Sequence, residues 1–107
     1  MKIDFTETEQ SERDFFNAAL TEHDLRFPSG IADVERNAEI LCIFISSRID
    51  AKFLDEHPNL KLITTRSAGH DHIEVRECAR RGVIVCEAPG SNANTVAEHT
   101  FALMLAL

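Results

Sequence analysis

The stretch LKLITTRSAGHDHIEVRECARRGVIVC, residues 60–86, decides how this chain folds. Residues 60–67 are apolar and β-branched at their centre and read as a strand. Ala68-Gly69 breaks it, and Asp71 followed by Glu74 has the pattern of a capping box, in which two side chains satisfy free N–H groups of a first helical turn. The spacing predicts a helix from about residue 72 to residue 81, with Gly82 as its left-handed stop. Residues 83–86, Val-Ile-Val-Cys, then read as a second strand. A strand, a helix and a further strand in immediate succession form one crossover, so the two strands run parallel.

The alternation repeats upstream. Residues 2–6 read as a strand, and residues 11–23 as a helix with Phe15, Phe16, Ala19 and Leu20 at helical spacing and Thr8 or Ser11 able to cap it. Residues 25–27 form a short strand before the breaker Pro28-Ser29-Gly30. Residues 39–45, EILCIFI, read as a buried central strand. Asp50 caps a short helix that turns Phe53 and Leu54 inward and stops at His57, because the residue before Pro58 is pushed out of the α region. Downstream, Pro89-Gly90-Ser91-Asn92 is a loop and Asn94 caps a last helix. Apolar-centred strands alternating with helices imply a parallel sheet covered on both faces. The expected fold is α/β, a doubly wound, flavodoxin-like parallel sheet of five strands.

The length of 107 residues suits one domain with a substantial core. A net charge of −7, with no basic cluster larger than Arg80-Arg81, argues against nucleic acid as a partner. No signal-peptide apolar region follows Met1, and the longest apolar run, residues 101–107, is far too short for a bilayer. A cytoplasmic protein with no membrane partner is expected. Cys42, Cys78 and Cys86 are odd in number and lack C-x-x-C spacing, so they read as buried, inert thiols. The run FALMLAL ends without a polar face, cap or stop, and a helix apolar all round is normally covered by more protein. Truncation or an intimate oligomer is expected on that ground.

Several chemistries are excluded by residue type. With glycine only at positions 30, 69, 82 and 90, neither G-x-G-x-x-G nor G-x-x-x-x-G-K-[ST] can be written. The loop of residues 6–11 has hydroxyls but no glycine, against an FMN phosphate cradle, and lacks the acidic cluster of a phospho-receiver. There is no G-x-S-x-G. His70 and His72 lack a further ligand at recognised spacing, so no metal site is assigned. Glu98 and His99 would point about 100° apart on a helix, which suits contacts to a neighbouring domain better than one proton path. What remains is Ser67-Ala68-Gly69-His70-Asp71 at the carboxyl end of a central strand. Small residues and a glycine there let backbone N–H groups converge on a carboxylate or phosphate oxygen. A plain strand-to-helix turn capped by Asp71 is the alternative.

Residues 60–74 (LKLITTRSAGHDHIE), 77–89 (ECARRGVIVCEAP) and 94–107 (NTVAEHTFALMLAL) together closely resemble the D-isomer-specific 2-hydroxyacid dehydrogenase family. The resemblance implies NAD-dependent interconversion of a 2-oxoacid and a D-2-hydroxyacid. It implies that the backbone amides of Ala68 and Gly69, with Ser67 adjacent, hold the substrate carboxylate. Residues 1–93 then form the substrate domain, and residues 94–107 begin the helix that leads to a nucleotide-binding domain. Thr95 becomes a secondary contact to the nicotinamide end of the cofactor. In the family, the arginine, glutamate and histidine that serve hydride transfer lie in that second domain, so no catalytic residue is assigned here. NAD is expected to be bound mainly there, and residues 1–107 alone to be inactive. His72 and Glu74 depart from the family's usual asparagine and aspartate, and residues 89–93 from its usual aromatic-containing loop. Two other readings stay open: a free-standing binding or scaffold module that uses the last helix, and a homo-oligomer, a dimer, joined through Phe101, Leu103, Met104, Leu105 and Leu107.

Overall fold

The computed structural model describes residues 1–67, 69 and 71–87. Strand β1 (Lys2–Phe5), helix α1 (Gln10–Ala19), β2 (Asp24–Arg26), β3 (Ile40–Ile43), α2 (Ala51–Glu56), β4 (Leu62–Thr65), α3 (Val75–Arg80) and β5 (Ile84–Glu87) follow in that order. The sheet runs β2-β1-β3-β4-β5, with every neighbouring pair parallel. This is the flavodoxin-like order, and it bears out the α/β sheet of five parallel strands.

The period-two pattern of the strands builds two cores. Ile3, Phe5, Ile40, Cys42 and Leu62 face α1, where Phe16 and Leu20 meet them. Leu41, Ile43 and Ile63 face the other way, toward Phe53 and Leu54 of α2 and Cys78 of α3. Under α1 the Phe5 and Phe16 rings stack with centroids 4.3 Å apart, and Phe27 stacks on Phe5 at 5.3 Å. Both sheet faces are therefore apolar, which is why the central strands read as continuous apolar runs.

Local signals held where nothing distant competed. Asp50 caps α2, its carboxylate accepting the Phe53 N–H at 2.9 Å, and the helix gives way at His57 before Pro58. Gly82 has φ +74° and closes α3. Asp50→Ala is expected to destabilise the fold by about 1 kcal/mol, read as a shift in urea midpoint without change in slope.

Three expectations are corrected. Helix α1 ends at Ala19, and neither Thr8 nor Ser11 is its N-cap. Glu9 takes that place, its N–H held by the Glu12 carboxylate at 3.0 Å, while the Thr8 hydroxyl accepts from Arg13 Nε. Strand β3 stops at Ile43, because the next N–H, that of Phe44, is bonded to the Glu7 carboxylate. Phe44 and Ile45 are consequently exposed. Helix α3 begins only at Val75, and the Asp71–Glu74 capping box does not form. Ile73 instead makes a parallel bridge to Ile49, in which Ile49 N–H donates to His72 O and Glu74 N–H to Ile49 O, both at 2.9 Å. That pairing engages Ile73 in a bridge and moves the helix start past Glu74.

Candidate functional site

In this strand order, ligands settle outside the carboxyl ends of the strands, in the crevice where the order reverses. Here that edge is made by the segments after β1, β3 and β4, and one side chain holds them together. Arg66, directly after β4, is 5% exposed. Its Nη2 donates to Thr6 O at 2.6 Å and Glu7 O at 2.8 Å, its Nη1 to Cys42 Sγ at 3.2 Å, and its Nε pairs with Glu12 at 3.2 Å. The rigid fork of donors is thus directed into the protein, where it fixes β1, β3, β4 and α1 against one another.

The expected substrate loop starts at the next residue. Ser67 is buried, its hydroxyl donating to Gly69 O at 2.7 Å and lying 2.7 Å from Thr65 Oγ1. Thr65 Oγ1 in turn lies 3.1 Å from His72 Nε2. The Ser67 hydroxyl therefore bonds back onto its own loop and onto the end of β4. Gly69 is exposed, its φ is not left-handed, and a Cβ built on it would meet nothing within 4 Å. Among the described residues, neither strain nor packing calls for glycine there. Ala68, His70, Glu98, His99 and Thr95 lie outside the described residues, as do the loop and last helix expected beyond residue 87.

Backbone strain sits instead on Glu7, the one described non-glycine residue with positive φ, at 55°. That conformation aims its carboxylate at the segment after β3. There it accepts from Phe44 N–H at 3.1 Å, Ser46 N–H at 3.0 Å and the Ser47 hydroxyl at 2.7 Å. Because Ser47 donates to Glu7, Thr6 Oγ1, 2.8 Å away, donates to Ser47. Partial burial pushes the Glu7 carboxyl up, but the Ser47 hydroxyl and the Ser46 and Phe44 amides together outweigh it and hold the group below the ordinary glutamate value. The ionised form is thus favoured by folding; its contribution is present at neutral pH and is lost as pH falls through the folded-state value.

Neither Glu7 nor Arg66 stood out in the sequence. The glycine-free loop of residues 6–11 pointed away from close backbone approach, yet Glu7 supplies the left-handed turn that glycine would usually make. Of the cysteines, Cys42 and Cys78 are buried as expected and burial pushes both thiols up, whereas Cys86 on β5 is only half-buried.

The chain matches the family described as D-isomer specific 2-hydroxyacid dehydrogenase, catalytic domain, over residues 3–105. The chain belongs to this family. A glyoxylate reductase of Thermofilum pendens is 42% identical over 72 residues, 67% of this chain and 21% of that protein. A D-3-phosphoglycerate dehydrogenase of Archaeoglobus fulgidus is 37% identical over 68 residues, 64% of this chain and 13% of that protein. Among solved structures, the D-lactate dehydrogenase of Aquifex aeolicus, in complex with NAD and lactic acid, superposes with a TM-score of 0.77 at 34% identity, covering 98% of this chain and 33% of that one. The chain therefore spans between 13% and 21% of these curated relatives and a third of the solved one. In this 2-hydroxyacid dehydrogenase domain, Ser67 and Gly69 share the carboxyl edge of the sheet with Arg66 and Glu7.

Proposed function

We propose that this chain is the substrate domain of an NAD-dependent D-2-hydroxyacid dehydrogenase, in which the backbone at Ser67, Ala68 and Gly69 holds the carboxylate of a small 2-oxoacid. The observation that carries the reading is the place of Ser67 and Gly69 at the carboxyl end of β4, where the Ser67 hydroxyl bonds back to Gly69 O and a Cβ on Gly69 would meet nothing within 4 Å among the described residues. Backbone N–H groups presented in this way bind a carboxylate without a positive side chain. Family membership supplies the reaction class, and the relative solved with NAD and lactic acid supplies the cofactor.

The residues of this chain do not themselves fit a dinucleotide: four scattered glycines cannot build its phosphate cradle. The reading therefore assigns NAD and the proton-transferring groups to a further, nucleotide-binding domain. Residues 1–93 are the substrate domain, residues 94–107 begin the connection, and Thr95 makes a secondary contact to the cofactor. When bound, NAD supplies hydride transfer; this chain orients the substrate. A cytoplasmic location and a dimer joined through residues 101–107 belong to the same proposal, the dimer supported by the unbroken apolar run.

The test is NADH oxidation with glyoxylate and pyruvate by the protein as its gene encodes it, beside residues 1–107 alone. Turnover by the first and none by the second is the expected result. Turnover by residues 1–107 alone would refute the assignment of the chemistry to another domain, and no turnover by the encoded protein would refute the function.

A further inference from the structure

We infer that Glu7 sets the substrate class of the reaction proposed above, by reserving the crevice between β1 and β3 for 2-oxoacids that carry a single negative charge. The inference rests on that proposed function. The strand order reverses between β1 and β3, and the crevice at such a point is where open α/β sheets take their ligands. Three polar donors from the segment after β3 converge there, the N–H groups of Phe44 and Ser46 and the hydroxyl of Ser47. Donors arranged in this way form an anion cradle, and here the anion is the chain's own Glu7 carboxylate.

A substrate tail entering the crevice thus meets a fixed negative charge whose surrounding donors are already engaged. Arg66 offers no counter-charge to the tail, since its guanidinium is buried against Thr6 O, Glu7 O and Glu12. Arg48, exposed on the same segment, makes no ion pair with Glu7. The other exposed residues that follow β3 carry no charge: Phe44 at 38%, Ile45 at 61% and Ser46, whose N–H is already engaged by Glu7. A second carboxylate or phosphate is repelled there, while an apolar or short tail is accepted.

The test compares oxaloacetate with α-ketoisocaproate, near isosteres in which a carboxylate replaces an isopropyl group, by kcat/KM for NADH oxidation in the protein as its gene encodes it. The unaltered protein is expected to prefer the monoanion by about tenfold or more, the scale of a like-charge penalty at a partly solvated site. Glu7→Gln keeps an acceptor for the amides but removes the charge, and narrows that ratio to within about threefold on the same electrostatic ground. Glu7→Asp, which keeps the charge, retains the preference. Should Glu7→Gln fail to fold, salt answers for it: raising ionic strength from roughly 0.05 to 0.5 M screens the repulsion and narrows the ratio in the unaltered protein. Equal use of both substrates, or a ratio unmoved by Glu7→Gln or by salt, overturns the inference while leaving the proposed function standing. No turnover of either 2-oxoacid, or of glyoxylate and pyruvate, is instead the failure of that function and removes this inference with it.

Discussion

Arg66→Met is expected to destabilise the fold by about 3–5 kcal/mol, because removing one partner of a buried ion pair leaves the other charge uncompensated. Methionine fills a similar volume and rules out a simple cavity effect, so the loss reports the polar contacts. The side chain of Arg66 is 3% exposed and that of Glu12 is 15% exposed. With the guanidinium gone, Glu12 and the carbonyls of Thr6 and Glu7 lose their donor in a place that water reaches poorly. For a domain of this size the corresponding fall in Tm is roughly 15 °C or more. The pair Glu77–Arg80 makes the contrast: its contact, at 2.6 Å, is shorter than the 3.2 Å of Arg66–Glu12, but Arg80 is 67% exposed and solvent screens the pair, so it contributes little. Urea unfolding of Arg66→Met beside Arg80→Met checks the argument. A loss below about 1 kcal/mol for Arg66→Met would mean that its partners are rehydrated and that the residue does not brace the edge.

The second large effect falls on activity without touching stability. Gly69→Val places a branched side chain before the proposed substrate loop, where among the described residues a Cβ meets nothing within 4 Å and no left-handed φ is required. Folding stability should stay within about 0.5 kcal/mol, as for other surface positions of this kind. The kcat/KM of the encoded protein for a small 2-oxoacid should fall by about 10²-fold, because displacing a bound substrate by an ångström costs that much. Thermal unfolding and steady-state kinetics on one preparation separate the two. Undiminished kcat/KM would move the carboxylate site away from residues 67–69.

The strands, their parallel order and both helix ends governed by adjacent residues, at Asp50 and at Gly82, were legible because each rests on a local rule. The errors share a different cause. Asp71-His72-Ile73-Glu74 has good capping chemistry, but Ile73 is drawn into a bridge with Ile49, a residue no local pattern connects to it. Phe44-Ile45 continues the apolar run of β3, yet Glu7 takes the Phe44 N–H and ends the strand. In both places a tertiary hydrogen bond outweighed propensity. The loop of Ser67 and Gly69 could be found from its small residues and its place after a strand. Arg66 and Glu7 could not, because an arginine just past a strand and a glutamate in a polar loop are ordinary until their partners are known.

The reach of Arg66 bears on how the domain comes into being. Thr6 and Glu7 leave the ribosome some sixty residues before the side chain that will fasten them. At roughly 5–20 residues per second, that interval lasts several seconds. Every ladder in the sheet joins segments distant in the chain, so no tight hairpin shelters the early strands in the meantime. The apolar interior can begin to collapse around β1, α1 and β3, but the carboxyl rim that Arg66 fastens is locked only after β4 arrives. Until then the carboxyl rim between β1 and β3 stands unfastened, and it is where a chaperone or a misplaced strand would find the nascent chain open.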